Sequence, residues 1–495
     1  MSSAHSRAFA VAAGLAFVVL ATANAAGYRY GVSDQAFYIP VVTRALVPGA
    51  FPRDAPLIDA QGRLMLSDEL LAALTRLTGA PLEAVFLGGY LVSLALIWLA
   101  LAQIGGRVYR TPLGTLALAA VFTLRHRIPR TSANTFEAYF HPRMLAFAMG
   151  ALAVAAVLRR QRWGAAALVA GALVVHVTTG LWFAVLVGTA LVLGTPIWRH
   201  LLAGGVTAGL VGAGALLLGP FRSRLVTMDE AWLQPLAVKD SLFPGDWPLW
   251  AWAANLGLLA VLWWAHRTRR ARGDATPEDA GLVWGATALV ALFLLTLPAV
   301  LLRQAFFVQL QISRVFWLVD FVATIYVVAV VAAPGLGRRA ATAVAALLVA
   351  ASVGRGAYTM LVEHPERTLF AVTVPASPWQ EAMEWLRRQP LDVHVLADPG
   401  HAWKYGTSVR VAAERDVLLE ETKDSALAIY SRDVALRVRE RTIAIDDFPS
   451  LTADRASALA ARYGLHFLVT EADLPLPIVH RNERFRIYAL APAGR

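Results

Sequence analysis

Three residues, widely separated in the chain, are of the types that acid–base and phosphate chemistry require. Asp34 stands in Gly-Val-Ser-Asp-Gln-Ala-Phe-Tyr, residues 31–38, just beyond the first apolar run. A carboxylate at a membrane edge is wet enough to ionise and could take a proton from an acceptor hydroxyl. Ser33 or Asp34 could equally cap the helix that follows. Glu137 lies in the segment RHRIPRTSANTFEAYFHPR, residues 125–143. It is a candidate second acid beside Asp34, with pairing to one of that segment's arginines as the structural alternative. In the same segment His141 could hydrogen-bond a substrate or bind a metal, and Pro142 suits the first turn of a helix. Arg314 sits in Gln-Leu-Gln-Ile-Ser-Arg-Val-Phe-Trp, residues 309–317, at the start of an apolar run. Its planar fork matches phosphate oxygens, and snorkelling to the interface is the alternative. Asp320 reads as a paired residue, for instance with His176. His176 itself reads as the polar filling of a helix break.

Several chemistries are excluded. No P-loop, dinucleotide-binding glycine motif, HExxH, GxSxG or EF-hand occurs, so an ATP-driven pump is not indicated. Cysteine is absent, which removes disulfides, thiolate metal sites and cysteine nucleophiles. The formal net charge of +11 does not point to nucleic acid, because the arginines cluster in short loops between apolar runs.

Those runs are the elements that must position the candidates. The chain has 495 residues, 57% hydrophobic and 16% charged, where a soluble domain carries nearer a quarter charged. Apolar segments fall at 8–26, 84–104, 111–124, 142–158, 164–176, 179–194, 201–219, 248–265, 281–302, 315–333 and 340–357. They predict a polytopic α-helical membrane protein with about eleven transmembrane helices. The pairs and clusters Arg107/Arg110, Arg159/Arg160/Arg162, Arg199/His200, Arg267/Arg269/Arg270/Arg272 and Arg338/Arg339 occupy alternate loops. The positive-inside rule places these and the N-terminus in the cytoplasm. The first run also has signal-peptide character, ending in Ala23-Asn24-Ala25, and is read as a retained anchor. Three longer segments, 27–82, 125–143 and 220–247, face outward. The first carries Phe37, Tyr38, Ile39 and Val42, then Leu64, Leu66, Leu70 and Leu71, as interfacial helices do. Residues 1–358 thus form the membrane domain. Residues 359–495 change composition and read as a small outward α/β domain. It has a helix over Trp379–Arg388, strands at Val393–Ala397, His466–Thr470 and Phe485–Leu490, and a helix at Ala453–Tyr463.

Placed on these elements, the chain resembles the GT-C superfamily of membrane glycosyltransferases. Within it, the architecture is most similar to the polyprenyl-phosphate-sugar-dependent enzymes, such as protein mannosyltransferases and aminoarabinose transferases. Ser33-Asp34-Gln35-Ala36-Phe37-Tyr38 resembles the acidic first-loop motif, Glu137 falls where the family often has an acid in the second outward loop, and Arg314 falls where such enzymes can place a phosphate-binding arginine. The resemblance implies inverting transfer of a sugar from a polyprenyl phosphate at the outer face of a bacterial cytoplasmic membrane, to a glycan, lipid or protein acceptor. Asp34 and Glu137 would be the catalytic acids. Arg314, His141, Arg143, Tyr38 and Arg130 would bind substrate. Gln35 replaces the second acid that several members carry, which disfavours a divalent metal at this loop, and no other cofactor is implied. Two other classes keep the same architecture: a transporter or flippase of lipid-linked glycans, and a non-catalytic envelope protein.

Overall fold

The structure is a computed structural model that describes residues 3–490, apart from 63–64, 110, 125–126, 333–336 and most of 194–224. One of the eleven apolar runs, 201–219, falls largely outside the described residues, as do Leu64, Arg110, Arg125, Arg199 and His200. The other ten runs all form helices. In chain order they and the intervening short helices are α1 (Ser3–Asn24), α2 (Gln35–Leu46), α3 (Ala55–Gly62), α4 (Ser67–Thr78), α5 (Leu82–Val108), α6 (Pro112–Thr123), α7 (Pro142–Leu158), α8 (Arg162–Val175), α9 (Val177–Leu193), α10 (Leu249–Ala271), α11 (Pro277–Leu301), α12 (Val315–Val331) and α13 (Arg338–Tyr358).

The protein is a helical membrane protein. Among the described residues, five stretches are long and apolar enough to cross a bilayer: Arg7–Asn24, Leu82–Val108, Pro277–Leu301, Ala305–Val331 and Arg339–Glu363. Helices α6 to α9 are apolar but only 12–17 residues long, so at about 1.5 Å per residue the shortest falls well short of the hydrocarbon thickness.

The arginine-rich turns meet at one end of the bundle. Arg107 at the end of α5 donates to the Leu158 carbonyl at the end of α7 at 3.0 Å, and Arg159 reaches back to Gln103 at 2.8 Å. Arg160 pairs with Glu278 at 2.7 Å, and Arg269 with Asp279 at 3.2 Å. Thr276 and Asp279 cap α11 reciprocally there. The candidate residues lie at the other end, where α1 ends and α7 begins.

Residues 27–82 contain three short helices, as the apolar spacing of that segment predicts. On α2, Ile39 and Val42 are buried. Leu66, just before α4, and Leu70, Leu74 and Leu77 on it are exposed, a stripe at helical spacing.

The tail is α/β. It contains helices α14 (Pro378–Arg387), α15 (Glu421–Leu427), α16 (Arg432–Ile445) and α17 (Ala453–Tyr463), with strands β3 (His394–Ala397), β4 (Asp416–Val417), β5 (Phe467–Thr470), β6 (Ile478–Arg481) and β7 (Arg486–Ala489). The sheet order is β4-β3-β5-β7-β6. Strand β3 is parallel to β4 and β5, and β7 is antiparallel to β5 and β6. Local chemistry sets the helix ends: Ser377 caps α14 ahead of Pro378, and Thr452 caps α17, which stops at Gly464 in the left-handed region.

Strand alternation gives the sheet two faces. Val395, Ala397, Val469 and Ile487 pack under Trp379 and Phe485 in the tail's own core. Leu396, Leu468 and Tyr488 belong to the same apolar core as the membrane helices. The tail is therefore joined to the bundle. A parallel pair, β1 (Tyr28–Arg29) with β2 (Phe370–Ala371), ties the exit of α1 to the start of the tail. Gly27 makes that crossing possible: its φ is +81°, and a Cβ there would lie 2.6 Å from the Thr368 carbonyl.

Candidate functional site

Five chain segments and His176 meet at the end of the bundle opposite the arginine-rich turns, around a cavity of about 370 Å³. The first is the turn before α2. Ser33 takes φ +52°, and Asp34 follows at the N-cap position of α2 but makes no side-chain capping bond. Its carboxylate is thus not used by its own helix. It meets Lys423 Nζ at 2.9 Å and Arg143 at 4.0 Å. Burial opposes the charge on Asp34, but Lys423 and Arg143 outweigh it and hold the carboxyl well below the usual range. Gln35 points elsewhere. Its Oε1 accepts the Gly31 amide at 2.6 Å and its Nε2 donates to the Phe140 carbonyl at 3.0 Å, so it braces the first outward segment against the second.

The second segment is held by Thr135, whose hydroxyl accepts the Trp317 indole of α12 at 3.3 Å. Two residues on, Glu137 accepts from Asn134 at 3.2 Å and from Arg143 at 3.5 Å. Arg143 occupies the first turn of α7 and bridges the two acids. His141 is the cap of that helix: Nδ1 accepts the Met144 amide at 3.3 Å, and the ring is packed between Tyr38 and Tyr139. Arg130 reaches Asp240 of the third outward segment.

Arg314 lies on the short turn entering α12. Ser313 beside it donates to the Ser241 carbonyl at 2.8 Å, and Gln309 donates to the Ile429 carbonyl of the tail at 3.1 Å. Arg314 Nε is buried without a hydrogen-bond partner among the described residues. Tyr430 faces it from the tail, its phenol raised by burial against the pull of Arg314. Lys239 of the third segment donates to the Thr422 carbonyl at 3.0 Å, and burial, helped by nearby Lys423, pushes its ammonium down.

No family model matches this chain, and no curated protein is similar to it. The site is therefore read on its own geometry. Asp34, Glu137, Arg314, Tyr38 and Arg143 line the cavity together. His141 and Arg130 are not among its lining residues. His176, which ends α8 and accepts the Thr179 amide at 3.3 Å at the start of α9, lines it as well.

Among the described residues, the charged lining is four cations, Arg143, Lys239, Arg314 and Lys423, against two carboxylates, Asp34 and Glu137. A buried cationic surplus suits an anion, and arginine with lysine suits phosphate oxygens. Among the described residues, no group of three or more His, Asp or Glu side chains is placed to hold a metal ion.

Lys423, Lys239, Trp403 and Tyr430 are lining residues absent from the sequence reading. One signal pointed to two of them. The 45 basic residues include only three lysines, Lys239, Lys404 and Lys423, and two of the three line this cavity.

Proposed function

We propose that this protein is an inverting glycosyltransferase. It moves a sugar from a polyprenyl phosphate to a hydroxyl of a glycan, lipid or protein acceptor at the outer face of the cytoplasmic membrane. The observation that carries this reading is the convergence of Asp34, Glu137 and Arg314 on one cavity with a surplus of cations. In the reaction, the acceptor oxygen forms a bond to the anomeric carbon as Asp34 takes the hydroxyl proton. The bond from that carbon to the phosphate oxygen breaks, and the phosphate leaves with the electron pair. Arg314, Arg143 and the two lysines stabilise that developing charge, while the sugar passes through an oxocarbenium-like state. Glu137 orients Arg143.

An apolar groove suits the lipid chain. It is lined by α1, α5, α6 and α13, including Ala12, Ala16, Phe17 and Trp98, and its volume is also about 370 Å³. Phe17 at its edge packs on Phe136 with ring centroids 5.9 Å apart, next to Glu137 of the cavity. The exposed leucine stripe of α4 suits the membrane surface. In this reading the ten apolar helices and run 201–219 make eleven crossings. The N-terminus and the arginine-rich end are cytoplasmic, and the tail is extracytoplasmic. Reporter fusions at Arg270 and Arg495 then report opposite sides, and same-side signals overturn the placement of the site.

The functional test is glycolipid and glycoprotein profiling of a deletion strain complemented with wild type or with Asp34→Asn. A product present with wild type and missing with a normally inserted Asp34→Asn protein is the expected result. Identical profiles from the two would overturn the enzyme assignment.

A further inference from the structure

The inference concerns Lys423 and rests on the phosphate-binding reading above. Lys423 is supplied by the tail, on α15, yet its ammonium lies on residues of the first outward segment: 2.9 Å from Asp34 Oδ1, 3.5 Å from Ser33 Oγ, and 5.7 Å from the Phe37 ring centre. The backbone that carries it is fixed. The next residue, Asp424, receives Arg410 through two hydrogen bonds of 2.6 and 3.0 Å, and Arg410 also reaches Asp54 at 2.7 Å. The head group differs in kind from this anchor. Lysine is a point charge on a flexible four-carbon stem, able to change partners without moving its helix, whereas arginine offers a rigid fork.

Asp34 is in the opposite position. Its own helix leaves the carboxylate unused, and its two oxygens face cations instead: Oδ1 accepts from Lys423 at 2.9 Å and Oδ2 lies 4.0 Å from Arg143. A carboxylate so held is a weak base. The same cavity contains Arg143, Arg314 and Lys239, which draw an entering phosphate towards Lys423.

We propose that Lys423 is a shared counter-ion: it holds Asp34 while the cavity is empty and passes its ammonium to the phosphate of an entering prenyl phosphate, which frees Asp34 Oδ1 for the acceptor hydroxyl. The base is thereby uncovered only when the donor is bound, and water entering an empty site meets a neutralised pair.

The scarcity of lysine makes the exchange observable. Full-length protein labelled at lysine Cε and Nζ gives three side-chain signals, assigned with Lys404→Arg and Lys423→Gln. Lys404, which pairs with Asp398 outside this cavity, is the internal reference. The probes are geranyl phosphate, geraniol and inorganic phosphate, with binding followed in parallel by calorimetry. Geranyl phosphate is expected to move the Lys423 signal of wild type to the position it takes in ligand-bound Asp34→Asn, and to leave Lys404 in place. Lys423→Gln is expected to weaken geranyl phosphate about tenfold, as loss of a charge-assisted bond does. Movement with inorganic phosphate also supports the exchange and assigns it to the phosphate group alone. Heat of binding with an unmoved Lys423 signal would overturn the exchange and leave the phosphate reading standing. Movement with geraniol would overturn it too, and no binding of either phosphate would overturn both. The titration itself is read on wild-type protein, and the variants serve to assign its three signals and to mark the expected end point.

Discussion

Two adjacent residues of α15, Lys423 and Asp424, belong to two clusters of charge built in opposite ways. Asp424 sits in a closed network. Arg410 is 2% exposed and is shared between Asp424 and Asp54, which also receives Arg437 and the Val417 amide at 3.2 Å. Cations and carboxylates there saturate one another, and burial of Asp54 is outweighed by Arg410 and Arg437, which hold its carboxyl low. Lys423 faces the cavity, where four cations meet two carboxylates and Arg314 Nε has no hydrogen-bond partner among the described residues. The residue types are the same. Saturation distinguishes a brace, which docks residues 27–82 on the tail, from a lining left with a surplus of cations.

The comparison breaks most visibly at the brace. Arg410→Ala leaves Asp54 and Asp424 buried without their shared partner, and removing one member of a buried ion pair costs about 3–5 kcal/mol. A large fall in melting temperature and early proteolytic release of the tail are the expected readings. Asp54→Ala added to Arg410→Ala should cost much less than the sum of the two, since both break one network. A loss under about 1 kcal/mol for Arg410→Ala would show that the tail is held by its apolar contacts instead.

Asp34→Asn tests the other cluster and should reverse the pattern. Loss of a general base lowers the rate by about 10²–10⁴-fold, while the protein still inserts and folds. Transfer that survives in Asp34→Asn would remove the carboxylate from the chemistry and leave it as a partner of Lys423. Arg314→Ala should have a narrower effect. A hydrogen bond to a charged group contributes about 1.5–3 kcal/mol, so the KM for the lipid donor should rise about tenfold or more, with the acceptor KM unchanged. Equal changes in both would place Arg314 in the scaffold.

The ease of reading these clusters from sequence follows from how local their causes are. Helix α17 was legible over its full length, because Thr452, the apolar spacing and Gly464 are all within the segment. The start of α7 at Pro142 was legible for the same reason, and there the sequence reading went too far. His141 looked like a free polar side chain before a helix, but the residue before such a proline is the natural cap, and its ring serves the Met144 amide. Asp34 and Glu137 could be grouped because the alternation of arginine-rich turns assigns both segments to the same end of the bundle. Lys423 could not. It stands in Glu-Glu-Thr-Lys-Asp, residues 420–424, which reads as a solvated helix start. Its role comes from a contact 389 residues away in sequence. The Asp54–Arg410 contact, 356 residues apart, was hidden for the same reason.

The smallest expected effect belongs to Glu420, at the margin between the two clusters. It is 1% exposed, accepts a hydrogen bond from Ser408, and lies 3.8 Å from Arg410 and 3.9 Å from His401. Burial raises its carboxyl to about 7, against the pull of Arg410. A carboxyl whose folded value lies above its unfolded value keeps its proton in the folded state after the unfolded chain has lost it. Stability therefore falls as pH rises from about 4.5 to 7 and levels off above. His401, lowered to about 4 by burial, is neutral through nearly all of that window and does not mask the slope. Glu420→Gln keeps the shape and the capacity to accept from Ser408 while removing the titration. Its unfolding free energy relative to wild type should rise between pH 5 and pH 8, by about 2 kcal/mol, whatever its absolute stability. Parallel curves for the two proteins would mean that Glu420 is ionised throughout, and that the brace extends one residue further towards Lys423 than its saturation suggests.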